Sequence, residues 1–236
     1  MANTVQKVHF QDLGRITYAK AWDYQTELQQ SLISLKRSKG REVNTDDPPV
    51  HRLLFCEHNH VFTLGKSGSQ ENLLLDDDEL SQESIEFFKI NRGGDITYHG
   101  PGQITGYPIL DLEYFYTDIH RYVREIEESI IRTIAHFGIS GFRLPEYTGV
   151  WVGEEENKRK ICAIGVHLSR WVTMHGFAFN VNTDLQYFDK IIPCGINEKH
   201  LSVTSVANEV GEDIDIGLAK DILKKELSEV FHFQYK

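Results

Sequence analysis

Three β-type segments that follow one another without an intervening helix constrain this fold most. They cover residues 149–153, 161–168 and 171–181, and a charged connection at residues 154–160 separates the first two in the manner of a hairpin. Strands joined by hairpins pair antiparallel, whereas parallel strands need long crossover connections. This stretch is therefore incompatible with a strictly alternating β-α-β order.

Helical patterns lie on both sides of these segments. Apolar residues recur at spacings of three and four from residue 21 to residue 35. Asp118 is placed to cap a long helix whose apolar face covers residues 119–137, and a last amphipathic helix is predicted over residues 216–231. These segments predict helices packed on a sheet.

Shorter β-type runs are predicted at residues 51–56, 61–64 and 85–90. The chain has no internal repeat, low-complexity tract or long linker, so we expect residues 1–236 to form a single domain. Helices alternate irregularly with hairpins. The predicted class is therefore α+β, with a mixed or antiparallel sheet flanked by helices.

Charge and composition exclude several classes of function. The chain has 25 Lys and Arg against 35 Asp and Glu, a formal net charge of −10, which argues against a nucleic-acid binder. It has no apolar run of about 18 residues, and residues 1–10 lack the apolar core of a signal peptide. The three cysteines form no Cys-x-x-Cys pair. We expect a cytoplasmic protein that binds neither nucleic acid nor membranes.

Two short motifs carry little weight. Residues 65–67, Gly-Lys-Ser, resemble the end of a phosphate-binding loop, but His60 occupies the position of its first glycine and residues 61–64 are predicted as strand. His58 and His60 are spaced to share one face of a strand and hold a metal. No Cys or carboxylate pair at typical ligand spacing supports them, so we predict no metal site.

The densest functional signal is the glycine-rich segment at residues 92–103. Its four glycines and one proline would make a poor core element, and glycine content alone indicates a surface loop. Polar and aromatic side chains are interleaved with the glycines: Arg92, Asp95, Thr97, Tyr98 and His99. Because the backbone can then approach a ligand while side chains orient it, we interpret the segment as a binding segment.

A second signal is Cys194, which lies between Pro193 and Gly195 at a break in regular structure. Cys56 and Cys162 sit in apolar runs and are predicted to be small buried hydrophobes. An exposed rigid turn is where a nucleophilic cysteine is needed. Cys194 is therefore the candidate nucleophile.

A thiolate at neutral pH needs a neighbouring cation, since a free cysteine titrates about 1.5 units above pH 7. Lys158, Arg159, Lys160 and His175 are the candidates. Lys158 and Arg159 are expected at a solvated hairpin tip. Lys160 opens an apolar strand, so it is the one of the three basic residues that could point toward a cleft.

At these residues the sequence resembles the octanoyltransferases of lipoate biosynthesis, also called lipoate-protein ligase B. The resemblance rests on residues 92–103, on Lys160 with residues 163–165, on residues 171–173 with 175–176 and Asn180, and on residues 192–195. It extends from about Gly14 through the final helix. It implies a fold similar to the catalytic domain of the biotin and lipoate protein ligases.

The resemblance also implies roles for individual residues. Cys194 would carry the acyl group as a thioester, and Lys160 would lower its pKa as the other member of a Cys-Lys dyad. The acyl substrate would be lined by Arg92, Gly93, Gly94, Asp95, Ile96, Thr97, Tyr98, His99, Ala163, Ile164, Gly165, Gly176, Phe177 and Ala178.

The implied reaction transfers octanoyl from the phosphopantetheine arm of acyl carrier protein to a lysine of a lipoyl domain. The acceptors would be the lipoyl domains of 2-oxoacid dehydrogenase complexes and the glycine cleavage protein. We expect a monomer that needs no ATP, cofactor or metal. We also expect a cationic surface to dock the acidic carrier, formed by Lys36, Arg37, Lys39, Arg41, Lys158 and Arg159.

Three alternatives stay open. An ATP-dependent lipoate or biotin ligase would activate a free acid as an adenylate and would not require Cys194. A non-catalytic acyl-binding or lipoyl-binding module would bind without forming a covalent adduct. A cysteine hydrolase would release free acid without an acceptor.

Overall fold

The computed structural model describes residues 5–39, 49–145, 147–192 and 201–236. Strands and helices alternate irregularly along them, in the order β1 Gln6–Arg15, α1 Tyr18–Lys39, β2 His51–Glu57, β3 Val61–Leu64, α2 Asp77–Gln82, β4 Glu86–Lys89, β5 Ile96–His99, β6 Gln103–Ile109, α3 Ile119–Ala135, β7 Gly141–Leu144, β8 Tyr147–Glu154, β9 Asn157–Ser169, β10 Val172–Asn180, β11 Leu201–Val203, α4 Val206–Val210, α5 Ile216–Val230 and β12 Phe233–Tyr235.

The central sheet is mixed. Its strand order is β12-β1-β2-β6-β10-β9-β8-β7, and β11 pairs with β9 beside this path. β1 runs parallel to both of its neighbours, whereas the strands from β2 to β7 in this order pair antiparallel. The predicted succession of hairpins through β8, β9 and β10 and the predicted α+β class are confirmed.

A smaller sheet has the order β4-β3-β5. β3 pairs parallel with β4 and antiparallel with β5, and all four of its residues are buried. β2 and β3 are neighbours in the sequence but belong to different sheets. The reason is that β1 and β6 already occupy both edges of β2.

Helices cover both faces of the central sheet. α3 and α5 pack on one face, where Tyr122, Ile126 and Ile130 meet Phe177 and Phe179. α1 covers the other face in a second apolar cluster. Burying one such side chain is worth about 1.5–3 kcal/mol. Within the described ranges, no helix is both long and apolar enough to cross a membrane.

The predicted start of α3 is confirmed in detail. The Asp118 carboxylate accepts a hydrogen bond from the Arg121 backbone N–H at 3.0 Å. Beyond the helix, Gly138 adopts a φ of +75°, a conformation that glycine tolerates best. These two residues fix where the helix begins and where the chain turns away.

A buried carboxylate ties α3 to strands β7 and β8. The side chain of Glu127 is fully buried and accepts hydrogen bonds from Arg124 Nη1 at 2.6 Å, Arg143 Nε at 3.2 Å and the Gly149 N–H at 3.0 Å. Glu128, one residue further, pairs with Arg132 and Arg143 but stays 33% exposed. Adjacent glutamates therefore differ in burial but share one of their arginine partners.

We expect Glu127→Ala to lower the free energy of unfolding by about 3 kcal/mol, because it leaves the Gly149 N–H and two arginines without their buried acceptor. Glu128→Ala should cost less than about 1 kcal/mol, as is usual for exposed ion pairs. Urea denaturation of both variants measures the difference. Equal losses would contradict the assignment of Glu127 as the buried clamp.

Candidate active site

A cavity of about 330 Å³ lies between the glycine-rich segment and strands β6, β9 and β10. Lys160 lines it, together with most of the residues expected to line the substrate: Arg92, Gly93, Gly94, Asp95, Ile96, Thr97, His99, Ala163, Ile164, Gly165, Gly176, Phe177 and Ala178. Segments that are distant in the sequence therefore meet at one cavity.

Tyr98 is the exception among the expected lining residues. Its side chain is fully buried, its ring stacks on Tyr187 at 4.8 Å, and its hydroxyl contacts His60 Nδ1 at 2.7 Å. Alternate residues of a strand face opposite sides, so Tyr98 points away from the face of Thr97 and His99. This placement does not match the prediction that Tyr98 lines the substrate.

The two histidines weighed as metal ligands have different neighbours. His58 is buried, with Nδ1 2.8 Å from the Ile16 carbonyl oxygen and Nε2 2.7 Å from the Tyr107 hydroxyl. His60 instead stacks on Tyr187 with ring centroids 4.2 Å apart. Each ring belongs to its own aromatic cluster.

Lys160 reaches the cavity because β9 carries one extra residue. Val150 pairs with Cys162 and Trp151 pairs with Lys160, so Ile161 has no partner in β8. One extra residue on one strand of an antiparallel pair defines a β-bulge. Without it, Lys160 would share the face of Cys162, which lies in the core beneath α3. The bulge directs Lys160 to the face of Ala163 and Gly165 instead.

The side chain of Lys160 lies against an aromatic ring. Its Nζ is 4.8 Å from the ring centroid of Trp151, which is fully buried. A cation over an indole face within about 6 Å is attracted by the ring. The ammonium is therefore held at the cavity by a neighbour on β8.

The other basic residues of this run have different surroundings. Arg159 forms two hydrogen bonds to Glu209, at 2.7 and 2.9 Å, and its side chain is only 24% exposed. The expectation of a solvated hairpin tip is wrong for Arg159, because β9 begins at Asn157 and the tip is confined to residues 155–156.

A chain of hydrogen bonds joins the glycine-rich segment to the backbone of Lys160. His99 Nδ1 lies 2.9 Å from Gln103 Oε1, and Gln103 Nε2 donates to Asn180 Oδ1 at 2.9 Å. Asn180 Nδ2 in turn donates to the Thr204 carbonyl oxygen at 2.9 Å, and the Thr204 N–H donates to the Lys160 carbonyl oxygen at 2.9 Å. The polar side chains thus fix the walls of the cavity relative to each other.

Arg92 and Asp95 are similarly engaged with the protein. Arg92 Nη2 donates to the Thr63 carbonyl oxygen at 2.6 Å and to Thr63 Oγ1 at 3.0 Å. Asp95 Oδ2 accepts from Asn72 Nδ2 at 2.5 Å. Gly165 lets this segment come close, since a Cβ built there would lie 2.8 Å from the Gly93 carbonyl oxygen.

His175 cannot supply the positive charge that a thiolate needs. Its Nε2 lies 2.8 Å from Asn91 Oδ1, and burial lowers its pKa to about 3, aided by the charge of Arg92. The ring is therefore neutral at pH 7. Its backbone φ of +58° is unusual for a non-glycine residue.

Two of the three cysteines are poor nucleophiles. Cys56 and Cys162 are free, fully buried thiols, and burial raises the pKa of each. Cys194, with Pro193 and Gly195, lies outside the described residues. On the near side of that gap, the Ile192 N–H donates to the Asn72 carbonyl oxygen at 2.8 Å. On the far side, β11 pairs with residues 158–160.

The surface expected to dock an acidic carrier is partly neutralised. Lys36 Nζ lies 2.7 Å from Asp111 and 3.0 Å from Glu113, and Arg159 is paired with Glu209. Arg37 is exposed, whereas the side chain of Lys39 and all of Arg41 lie outside what the structure describes. Lys36 and Arg159 are therefore paired with carboxylates of the chain itself, and the docking of an acidic carrier on this surface stays a prediction.

Several cavity residues carry no motif that sequence reasoning could have used. They come from α1, β6, α3, β8, β11 and the helical turn at residues 185–190: Tyr18, Thr105, Tyr107, Val123, Tyr147, Thr148, Phe188 and Val203. Gln103 and Asn180 lie within the matched segments but had no assigned role. A resemblance points to residue types, whereas packing decides which of them face the cavity.

A family model described as the lipoyl protein ligase A/B catalytic domain matches residues 17–228. The chain belongs to this family. Among the curated relatives, the octanoyltransferase of Flavobacterium johnsoniae is 55% identical over 228 residues, covering 96% of this chain and 97% of the relative. The octanoyltransferase of Cytophaga hutchinsonii is 51% identical over 234 residues, covering 97% of this chain and 94% of the relative.

Solved structures of low identity share the fold. A bipartite lipoate protein ligase from Thermoplasma acidophilum superposes with a TM-score of 0.68 at 17% identity, covering 98% of this chain and 86% of that chain. A lipoate-protein ligase A bound with ATP gives 0.66 at 16% identity, covering 99% and 88%. At such identities the likeness concerns the fold alone. The expected similarity to lipoate ligase catalytic domains is confirmed.

Buried histidines make stability depend on pH. Burial lowers the pKa of His58 to about 4 and that of His175 to about 3, both below the ordinary 6.5. Between pH 6.5 and 4 the unfolded chain therefore binds more protons than the folded one, so this stability is complete above pH 6.5 and declines below it.

We expect His58 and His175 to lower the free energy of unfolding by about 2 kcal/mol each between pH 7 and pH 5. Burial also lowers the pKa of His51 and of His99, so these two rings add to the fall. Urea denaturation at pH 7, 6 and 5 measures the slope. A free energy of unfolding that does not change over this range would refute the assignment of neutral buried rings.

Proposed function

We propose that this chain transfers an octanoyl group from acyl carrier protein to a lysine of a lipoyl domain. Cys194 carries the acyl group as a thioester, and the ammonium of Lys160 lowers the pKa of its thiol. One observation carries the proposal. Lys160 lines a cavity formed by the motif segments, in a chain that is about half identical to octanoyltransferases over nearly its whole length.

The proposed reaction has two steps. The Cys194 thiolate attacks the carbonyl carbon of the carrier thioester, and the carrier's thiol leaves. The amine of the acceptor lysine then attacks the enzyme thioester, forming an amide and releasing the cysteine. The first step exchanges one thioester for another and the second is downhill, so the proposal needs no ATP, cofactor or metal.

The state of the other two cysteines supports Cys194 as the nucleophile. Only a thiolate is reactive, and burial holds Cys56 and Cys162 in the neutral form. The described residues that flank the Cys194 segment support the pairing with Lys160, because β11 lies beside residues 158–160 and Val203 lines the cavity. Free buried thiols also agree with a reducing compartment, and a cytoplasmic location is part of the proposal.

The cavity suits a small acyl chain. Its volume of about 330 Å³ lies at the lower end of the range for small-ligand pockets. Ala163, Gly165, Gly176 and Ala178 present backbone and small side chains to it. Each methylene of a chain buried there contributes about 0.8 kcal/mol of binding free energy.

The alternatives differ in what they require. An ATP-dependent ligase shares this fold, since a lipoate-protein ligase A bound with ATP is among the neighbours, but it acts on a free acid and does not need Cys194. The high identity to octanoyltransferases favours transfer from a carrier. Lipoyl domains of 2-oxoacid dehydrogenase complexes and the glycine cleavage protein are the proposed acceptors.

Intact-protein mass spectrometry after mixing with octanoyl carrier tests the thioester. We expect a mass increase of one octanoyl group on the wild type and on Cys162→Ala, and none on Cys194→Ala. Addition of a lipoyl domain should remove the adduct and label the domain. An adduct mapped to Cys56 or Cys162, or none on the wild type, would overturn the mechanism.

The role of Lys160 is tested by Lys160→Met, which keeps the length of the side chain and removes the charge. We expect kcat/KM for octanoyl transfer at pH 7 to fall about 100-fold, since a nearby cation lowers a thiol pKa by about one to three units. Lys225→Met, at an exposed position of α5, is the control, with less than a threefold change expected. Equal effects would rule out a specific ammonium.

A further inference from the structure

Lys160 and Trp151 form a cation–π contact across two neighbouring strands. The two residues lie directly opposite each other in the β8–β9 pairing, on the same face of the sheet. Trp151 is fully buried, and within the described part of the chain its indole N–H has no hydrogen-bond partner. The Nζ of Lys160 lies 4.8 Å from the centre of the ring.

Among the described residues no acceptor binds the indole N–H, so hydrogen bonding to them does not explain this tryptophan. A buried donor without an acceptor destabilises the fold, and phenylalanine would fill much of the same space without that cost. What indole adds is the largest and most electron-rich aromatic face, which attracts a cation more strongly than phenylalanine does. The cation–π contact with Lys160 is therefore what a tryptophan provides at this position and a smaller aromatic residue would provide less well.

We propose that Trp151 is a positioning residue for Lys160. Its ring fixes the lysine side chain at the cavity and keeps the amine protonated, so that the ammonium is available to the thiolate of Cys194. This inference rests on the role of Lys160 in the proposed function. It adds to that function the residue that places the charge.

The surroundings of Trp151 explain why the ring is rigid enough for this role. The Tyr147 ring packs against it at 5.8 Å between centroids. The backbone two residues before Trp151 is fixed by the hydrogen bond from the Gly149 N–H to the buried Glu127 carboxylate. Gly149 adopts a φ of +127°, and a Cβ built there would lie 2.5 Å from the Cys162 carbonyl oxygen, so β8 and the bulged part of β9 lie close together.

The direction of the effect on activity follows from the charge. The ring stabilises the ammonium form, so it raises the pKa of Lys160 above the value the same site would give without it. Removing the ring lets the amine lose its proton at lower pH. The form that supports the thiolate then disappears earlier as the pH rises.

The test compares three variants in octanoyl transfer from the carrier to a lipoyl domain, with kcat/KM measured from pH 6 to pH 10. Trp151→Leu removes the aromatic face, Trp151→Phe retains a weaker one, and Trp22→Leu is a matched control at a partly buried tryptophan of a separate cluster. We expect the alkaline limb to move down by about one pH unit in Trp151→Leu and by about half as much in Trp151→Phe. The limb of Trp22→Leu should stay in place.

A second measurement does not depend on transfer. The rate of alkylation of Cys194, mapped by peptide mass spectrometry against pH, reports the pKa of its thiol. We expect that pKa to rise by about one unit in Trp151→Leu and by less in Trp151→Phe.

Loss of activity with an unmoved alkaline limb and an unchanged thiol pKa would overturn the inference, since a structural role lowers the rate without moving either. If Trp151→Leu fails to fold, Trp151→Phe decides the question by the same two readouts. A wild type that transfers no octanoyl group would instead refute the proposed function, while the alkylation profile would still test the placement of the ammonium.

Discussion

The unpaired residue in β9 decides which way Lys160 points, and the candidate active site depends on it. A regular strand would send Lys160 and Cys162 to the same face, into the apolar core under α3. With Ile161 inserted, both Ile161 and Cys162 join that core while Lys160 lines the cavity. One strand thereby serves as a wall of the core and as a wall of the site. The bulge also brings Lys160 opposite Trp151, whose ring receives the ammonium.

Hydrogen bonds from its own polar side chains hold the glycine-rich segment in place. Arg92 is hydrogen-bonded to Thr63, Asp95 to Asn72, and His99 to Gln103. These polar side chains of the segment therefore contact the protein itself. These hydrogen bonds hold the backbone of the segment against β9, and the glycines permit the close approach of the two. A site built in this way is organised before a substrate arrives, which lowers the entropy lost on binding.

The parts of the fold that follow local rules could be predicted from the sequence. The cap at Asp118, the apolar period of α1 and the hairpins through residues 149–181 all hold. The sequence carries no clear strand signal for β6, because its residues 103–109 include glycine and proline, which mark turns in most sequences. In this strand Gly106 is needed because the Phe177 ring packs across it. Which face of β5 meets the cavity, and therefore where Tyr98 lies, depends on contacts distant in the sequence. The same is true of the partner of Arg159.

Selectivity among the three thiols follows from the same geometry. Cys162 is only two residues from Lys160, and a cation this near in sequence would activate it if both side chains shared a face. They do not, because the bulge turns one to the cavity and leaves the other in the core. There, desolvation and then the charge of Glu127 raise the pKa of the Cys162 thiol, and the attraction of Lys160 is the weakest influence on it. The fold thus keeps the Cys162 thiol neutral although Lys160 is only two residues away in the sequence. The charge of Lys160 then acts on a thiolate at the cavity.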